Sequence, residues 1–125
     1  MSSNKNLEPR NEKGQRHGLW EVYYSDGQLD FKGIYVNDEE NGLWEQYWSN
    51  GILTYTGAYY NGEKNGYWEE YWEDGKIDSK GTFVNGNKHG YFEEYSSSLK
   101  GYNNGFYDMG KRVDSEVTSE MFPIY

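Results

Sequence analysis

Two periods govern the hydrophobic and polar positions of this chain, one nested in the other. At short range, aromatic-rich runs such as residues 43–48 and 53–60 are separated by Ser-Asp-Gly, Ser-Asn-Gly or Glu-Asp-Gly. Aromatic runs suit a pleated surface, and Asp-Gly or Asn-Gly between two of them is a strong hairpin signal. At long range the whole pattern returns every 24 residues. Gly18, Gly42, Gly66 and Gly90 share one column, followed by Trp20, Trp44, Trp68 and Phe92 and then by Glu21, Glu45, Glu69 and Glu93. Tyr23, Tyr47, Tyr71 and Tyr95 come next, then Tyr24, Trp48, Trp72 and Ser96. Later in each unit stand Gly33, Gly57, Gly81 and Gly105, two residues before Tyr35, Tyr59, Phe83 and Tyr107. No window spaces apolar residues by three and four, so no helix is expected in the array.

The predicted architecture is all-β: a single-layer, elongated antiparallel meander of four stacked hairpins, about eight strands in all. Residues 1–13 lack the period and are expected to form a disordered lead-in, and residues 14–112 hold the repeats. Residues 113–125, with Met121-Phe122-Pro123-Ile124-Tyr125 near their end, are expected to cap the last hairpin or to dock elsewhere. The fourth unit lacks its Asp-Gly turn, as terminal repeats often depart from the rule. Strand alternation puts Trp20 and Tyr24 on one face, with Leu19, Glu21 and Tyr23 on the other. A glycine inside a strand leaves a notch where a neighbouring ring can lie flat, and Gly33, Gly57 and Gly81 are expected to seat rings of the Trp or Tyr columns.

Composition changes this picture in one respect. Mean hydropathy is −1.13 and net charge −9, values that alone suggest disorder. Aromatics make up 19% of the chain, and each buries a large area, so a thin sheet held by aromatic packing is expected instead. The excess of acidic over basic residues, 21 against 12, argues against nucleic acid and anionic membranes as partners and for a basic protein. There is no cysteine, and the opening residues lack the apolar core of a secretory signal, so a cytoplasmic setting is expected.

The string Asn61-Gly62-Glu63-Lys64-Asn65-Gly66-Tyr67-Trp68-Glu69-Glu70-Tyr71, with Asp74-Gly75, Gly81, Phe83 and Asn85-Gly86 after it, resembles the MORN repeat. It looks most like the MORN-variant repeat of bacterial YwqK-type antitoxins. The likeness covers residues 14–112, with Asp38 standing where the other units have Gly62 and Gly86. It implies stacked hairpins in one elongated sheet, and roles in protein binding, scaffolding, toxin neutralisation or, in some members, lipid contact.

Catalytic chemistry is not expected. An acid–base pair needs two carboxylates in unlike environments, whereas the Glu column repeats one residue beside the same Trp and Tyr. Its members are expected to pair with backbone, Lys or Tyr hydroxyls. His17 and His89 occupy the column of Asn41 and Asn65 and are read as turn residues that tolerate left-handed backbone. No glycine-rich phosphate loop precedes a helix, and Asp38-Glu39-Glu40 lacks calcium-loop spacing, so neither metal nor cofactor is expected. The expected function is protein binding, with Trp44, Trp48, Trp68, Trp72, Tyr47 and Tyr71 as aromatic anchors and Glu45 and Glu69 as steering charge. A glycan or choline binder on the same Trp and Tyr rows is the alternative, and lipid binding is less expected. Open sheet edges make a homodimer plausible.

Overall fold

The computed structural model describes residues 5–96 and 98–114. Ten strands follow one another: β1 (Gly18–Tyr23), β2 (Leu29–Val36), β3 (Glu39–Tyr47), β4 (Leu53–Tyr60), β5 (Glu63–Tyr71), β6 (Ile77–Val84), β7 (Asn87–Ser96), β8 (Gly101–Tyr102), β9 (Gly105–Asp108) and β10 (Lys111–Arg112). They form one antiparallel sheet in sequence order from β1 to β7, continuing through β9 and β10, with β8 beside β7. The single-layer meander is therefore as expected. The fourth unit is the irregular one, its second half broken into the short β8, β9 and β10.

Two kinds of turn alternate. Between repeats, pairs such as Asn61-Gly62 and Asn85-Gly86 hold both residues at positive φ, 50° and 81° in the first, 49° and 83° in the second. That is the tight-hairpin geometry whose twist matches the strands. Asp38 takes the same place with φ 70°, its carboxylate accepting from the Arg16 backbone N–H at 2.8 Å. Within a repeat the turn is longer: the Trp48 N–H reaches the Ile52 carbonyl at 2.8 Å, and only Gly51 needs the left-handed conformation.

The pairing departs from simple alternation at fixed places. Between β2 and β3, Lys32 faces Glu45 but Ile34 faces Asn41, so β3 carries two extra residues opposite Gly33. The same step recurs at Gly57/Tyr59 and Gly81/Phe83. It lets each aromatic ring reach back over the preceding hairpin. A Cβ on Gly33 would lie 2.1 Å from the Trp44 ring, one on Gly57 2.1 Å from Trp68, and one on Gly81 2.1 Å from Phe92. Each indole then donates to the carbonyl beside its notch: Trp44 to Ile34 at 3.1 Å and Trp68 to Ala58 at 2.8 Å.

Other rings box each tryptophan in. Trp68 stacks on Tyr55 (5.3 Å, 26°) and takes Tyr59 and Phe83 edge-on at 5.0 and 6.4 Å. Such pairs contribute about 0.5–1.5 kcal/mol each beyond area burial. So packed, Trp20, Tyr35, Trp44, Trp68, Phe92 and Val113 are buried, and among the described residues no polar side chain is. A one-layer sheet thus acquires a core on one of its faces, the ring face.

Both ends of the array are closed. Residues 5–13, expected as a disordered lead-in, run instead beside β1: Leu7 and Glu21 exchange backbone hydrogen bonds at 2.8 and 3.0 Å. The Pro9 carbonyl accepts from the Trp20 indole at 2.9 Å, the part that Ile34 and Ala58 play for the next two tryptophans, and the Arg10 guanidinium lies over the Trp20 ring. At the other end the Arg112 guanidinium fills the Gly105 notch, 2.6 Å from where a Cβ would stand. The tail residues 115–125, including the proposed cap or docking peptide at 121–125, lie outside the described residues.

Candidate functional site

The sequence-predicted anchors divide into three groups. Trp44 and Trp68 are 3% and 2% exposed. Seated in their glycine notches, they belong first to the core and neither stands out from the sheet, although an edge of Trp44 lines a small cavity on the ring face. Trp48 is half-buried, its indole donating to the Tyr71 carbonyl at 3.3 Å. Trp72 is 47% exposed and meets Tyr95 edge-on at 6.2 Å, with Tyr102 following at 5.8 Å from Tyr95. A shallow cavity of about 340 Å³ lies there, lined by Trp72, Asp74, Lys76, Ile77, Tyr95 and Tyr102.

The carboxylates lie on the opposite, open face, where each finds a partner. Glu45 pairs with Lys32 at 3.7 Å and Glu93 with Lys80 at 3.4 Å. Glu69 accepts from the Tyr67 and Tyr71 hydroxyls at 3.0 and 2.9 Å. Burial and the Glu69 hydrogen bond push the Tyr67 hydroxyl up to about 12; for Tyr71, where the hydrogen bond dominates, the shift is also upward. Burial, with Glu45 nearby, raises Tyr47 as well. The column therefore braces tyrosines and lysines across strands.

His17 and His89 are turn residues for a different reason from the one expected. Neither is at positive φ. Their Nδ1 atoms accept from the Asn37 and Met109 backbone N–H groups at 3.2 Å, while Asn41 and Asn65 accept from Asn61 and Asn85 through Oδ1 at the same distance. One acceptor atom at one place serves all four units.

A surface outside the predicted set emerges on the open face. Leu19 pairs with Ile34, Leu43 with Ala58, Tyr67 with Thr82 and Tyr91 with Phe106. The larger members remain exposed: Leu19 46%, Ile34 45%, Leu43 66%, Tyr67 52% and Tyr91 47%. They form a row across the sheet, bordered by the Glu–Lys pairs. Leu43, Tyr67 and Tyr91 each sit in a three-residue stretch that faces a single residue of the preceding strand, Gly33, Ala58 and Thr82 respectively. The signal was in the chain all along, since the position after Gly18, Gly42, Gly66 and Gly90 is always large and apolar or aromatic.

Comparison with protein families explains the array as a whole. The pattern described as "MORN repeat variant" matches residues 16–37, 40–61 and 64–85, three consecutive units covering more than half the chain. The chain belongs to this MORN repeat family. No match was found among curated proteins. MORN repeats are commonly protein- or lipid-interaction modules, and the family is generally a non-enzymatic one. The match ends before the fourth unit, where the turn is lost and the strands shorten.

Proposed function

We propose that this MORN protein is a non-enzymatic protein-binding module of the inhibitor or antitoxin kind, contacting a basic partner through the open-face row. The observation that carries the reading is the exposure of Leu43 and Tyr67 in the middle of that row, 66% and 52%. Exposed apolar positions in a continuous row, rimmed by charge, are what an interface needs. A net charge of −9 favours a partner with surplus Lys and Arg, and draws it faster at low salt. The same charge disfavours the lipid role that other MORN repeats fill.

The test compares affinity capture by the parent protein with capture by Leu43→Ser/Tyr67→Ser. A protein held at low ionic strength by the parent and lost by the variant, whose fold is unchanged by circular dichroism, supports the reading. Capture of the same proteins by both, or sedimentation of the parent with anionic vesicles, refutes it. A small-ligand reading rests on the Trp72, Tyr95 and Tyr102 cavity, whose rings suit a sugar face. A flat tryptophan fluorescence titration with glycan fragments removes it.

A further inference from the structure

Four repeats that share one backbone allow each side chain to be compared with its counterparts, and one column breaks the comparison. Arg16, Glu40, Lys64 and Lys88 are equivalent positions. Arg16 lies 4.3 Å above the Tyr35 ring. The Lys64 ammonium sits 4.6 Å from the Trp68 ring and 4.9 Å from Phe83, and the Lys88 ammonium 4.8 Å from Phe92 and 5.1 Å from Tyr107. A cation over two ring faces is attracted by their quadrupoles. Lys64 and Lys88 are also held by carboxylates six residues on, Glu70 and Glu94.

In the second repeat this arrangement is inverted. Glu40 stands at the cation's position and Gln46 at the carboxylate's. The rings remain: Phe31 stacks on Trp44 at 5.7 Å and 17°, and Tyr35 and Tyr59 meet Trp44 edge-on. Among the described residues, Glu40 forms no ion pair, and no cation lies over Trp44 or Tyr59. Arg16, the nearest counterpart, is turned to Asp38 at 3.0 Å and to the Tyr35 hydroxyl at 3.0 Å. Between these groups lies a cavity of about 200 Å³ lined by Phe31, Tyr35, Glu40, Trp44, Gln46 and Tyr55. Burial and the Glu40 charge both raise the Tyr55 hydroxyl, consistent with a negative potential in the cavity.

We propose that this ring-face cavity is a receptor site for a lysine side chain of a partner protein, whose ammonium takes the place that Lys64 and Lys88 take in their own repeats. Glu40 supplies the charge partner, and Trp44 with its neighbouring rings supplies the faces. The volume is below that of drug-sized pockets and suits a single side chain. The site lies on the opposite side of the sheet from the Leu43 row and does not depend on it.

The experiment titrates the protein with Nα-acetyl-lysine methylamide and follows the Trp44 indole N–H and Tyr55 ring signals by NMR. Saturable shifts in the millimolar range are expected, and none with the Nε-acetylated compound. Glu40→Gln should weaken binding about threefold or more. Glu40→Lys should abolish it, because the new ammonium occupies the cavity as Lys64 does its own. Leu43→Ser should bind the probe like the parent, which separates this proposal from the open-face reading. Unshifted Trp44 signals, equal binding of the acetylated probe, preference for the blocked arginine analogue, or undiminished binding by a folded Glu40→Lys protein would each overturn it.

Discussion

Replacing Gly57 by alanine adds one methyl group and should be among the most damaging single changes this protein can suffer. Gly57 is not at positive φ, so its backbone suits any residue and the cost is steric alone. The new Cβ would stand 2.1, 2.3 and 2.5 Å from three atoms of the Trp68 ring. Ordinary contact needs at least about 3.4 Å, so the ring must lift by more than about 1 Å. Lifting breaks the 2.8 Å bond from the indole to the Ala58 carbonyl, a loss of about 1 kcal/mol. It also loosens the stack on Tyr55 and the edge contact with Tyr59, and overpacking of this kind costs about 1–3 kcal/mol. Alanine's lower freedom in the unfolded chain returns about 0.5 kcal/mol. A net loss of about 3 kcal/mol is expected, a large share of the roughly 5–15 kcal/mol typical of domains. Urea unfolding followed by tryptophan fluorescence measures it, with Gly101→Ala as control, since nothing approaches that Cβ closer than 3.9 Å. Trp68→Ala should cost about 3–5 kcal/mol, and adding Gly57→Ala to it should cost almost nothing more. An unchanged midpoint for Gly57→Ala, or additive costs in the double mutant, would refute the notch account.

Two further outcomes follow from the packing. Burial raises the Tyr55 and Tyr59 hydroxyls, and burial with the Glu69 hydrogen bond raises Tyr67, above the ordinary value of 10.0. The folded chain then keeps protons that the unfolded chain releases, so this stability is complete below about pH 10 and is lost as pH rises beyond it. Melting temperature should fall by more than about 5 °C between pH 9 and 11.5; a flat profile contradicts the partial burial of Tyr55 and Tyr59. Deleting residues 1–13 removes the Pro9 acceptor, the Arg10 contact and the Leu7–Glu21 pair. The expected cost is about 2–4 kcal/mol, concentrated in β1. Amide exchange in β1 that stays as slow as in the full chain would show that the segment caps nothing.

The period, the hairpins and the single layer were legible because each rests on a local rule that every repeat states again. Notch glycines were legible too, but their consequence for Trp44 and Trp68 was not. A ring that fills a notch cannot also stand out as a contact anchor, and only the ring-to-glycine distances show that these two rings fill theirs. Alternation put Leu19 with Glu21 on the face away from Trp20, where the exposed row lies. It gave no sign that the Trp44 and Trp68 rings would be covered and that row left open. The two extra residues by which β3, β5 and β7 step out of register at Gly33, Ala58 and Thr82 are invisible to a period-two reading. The capping role of residues 5–13 had no signature, because a cap at Trp20 needs little more than a carbonyl, which any residue supplies and here Pro9 does.

Repetition offers a way to separate what the fold demands from what it leaves free. Where neighbours impose a requirement, every unit meets it, even with different residues. His17, Asn41, Asn65 and His89 all present one acceptor to the same backbone N–H, and Arg112 fills the Gly105 notch in place of a ring. The column of Arg16, Glu40, Lys64 and Lys88 behaves otherwise, because charge reverses at one rung while the surrounding rings stay. Cation–ring contact contributes about 0.5–1 kcal/mol at exposed sites, and the second repeat forgoes it. The sheet holds its register there all the same, with Tyr35 opposite Glu40. The cation is therefore dispensable for folding in that repeat, and Glu40 marks a place where the side chain answers to something outside the array.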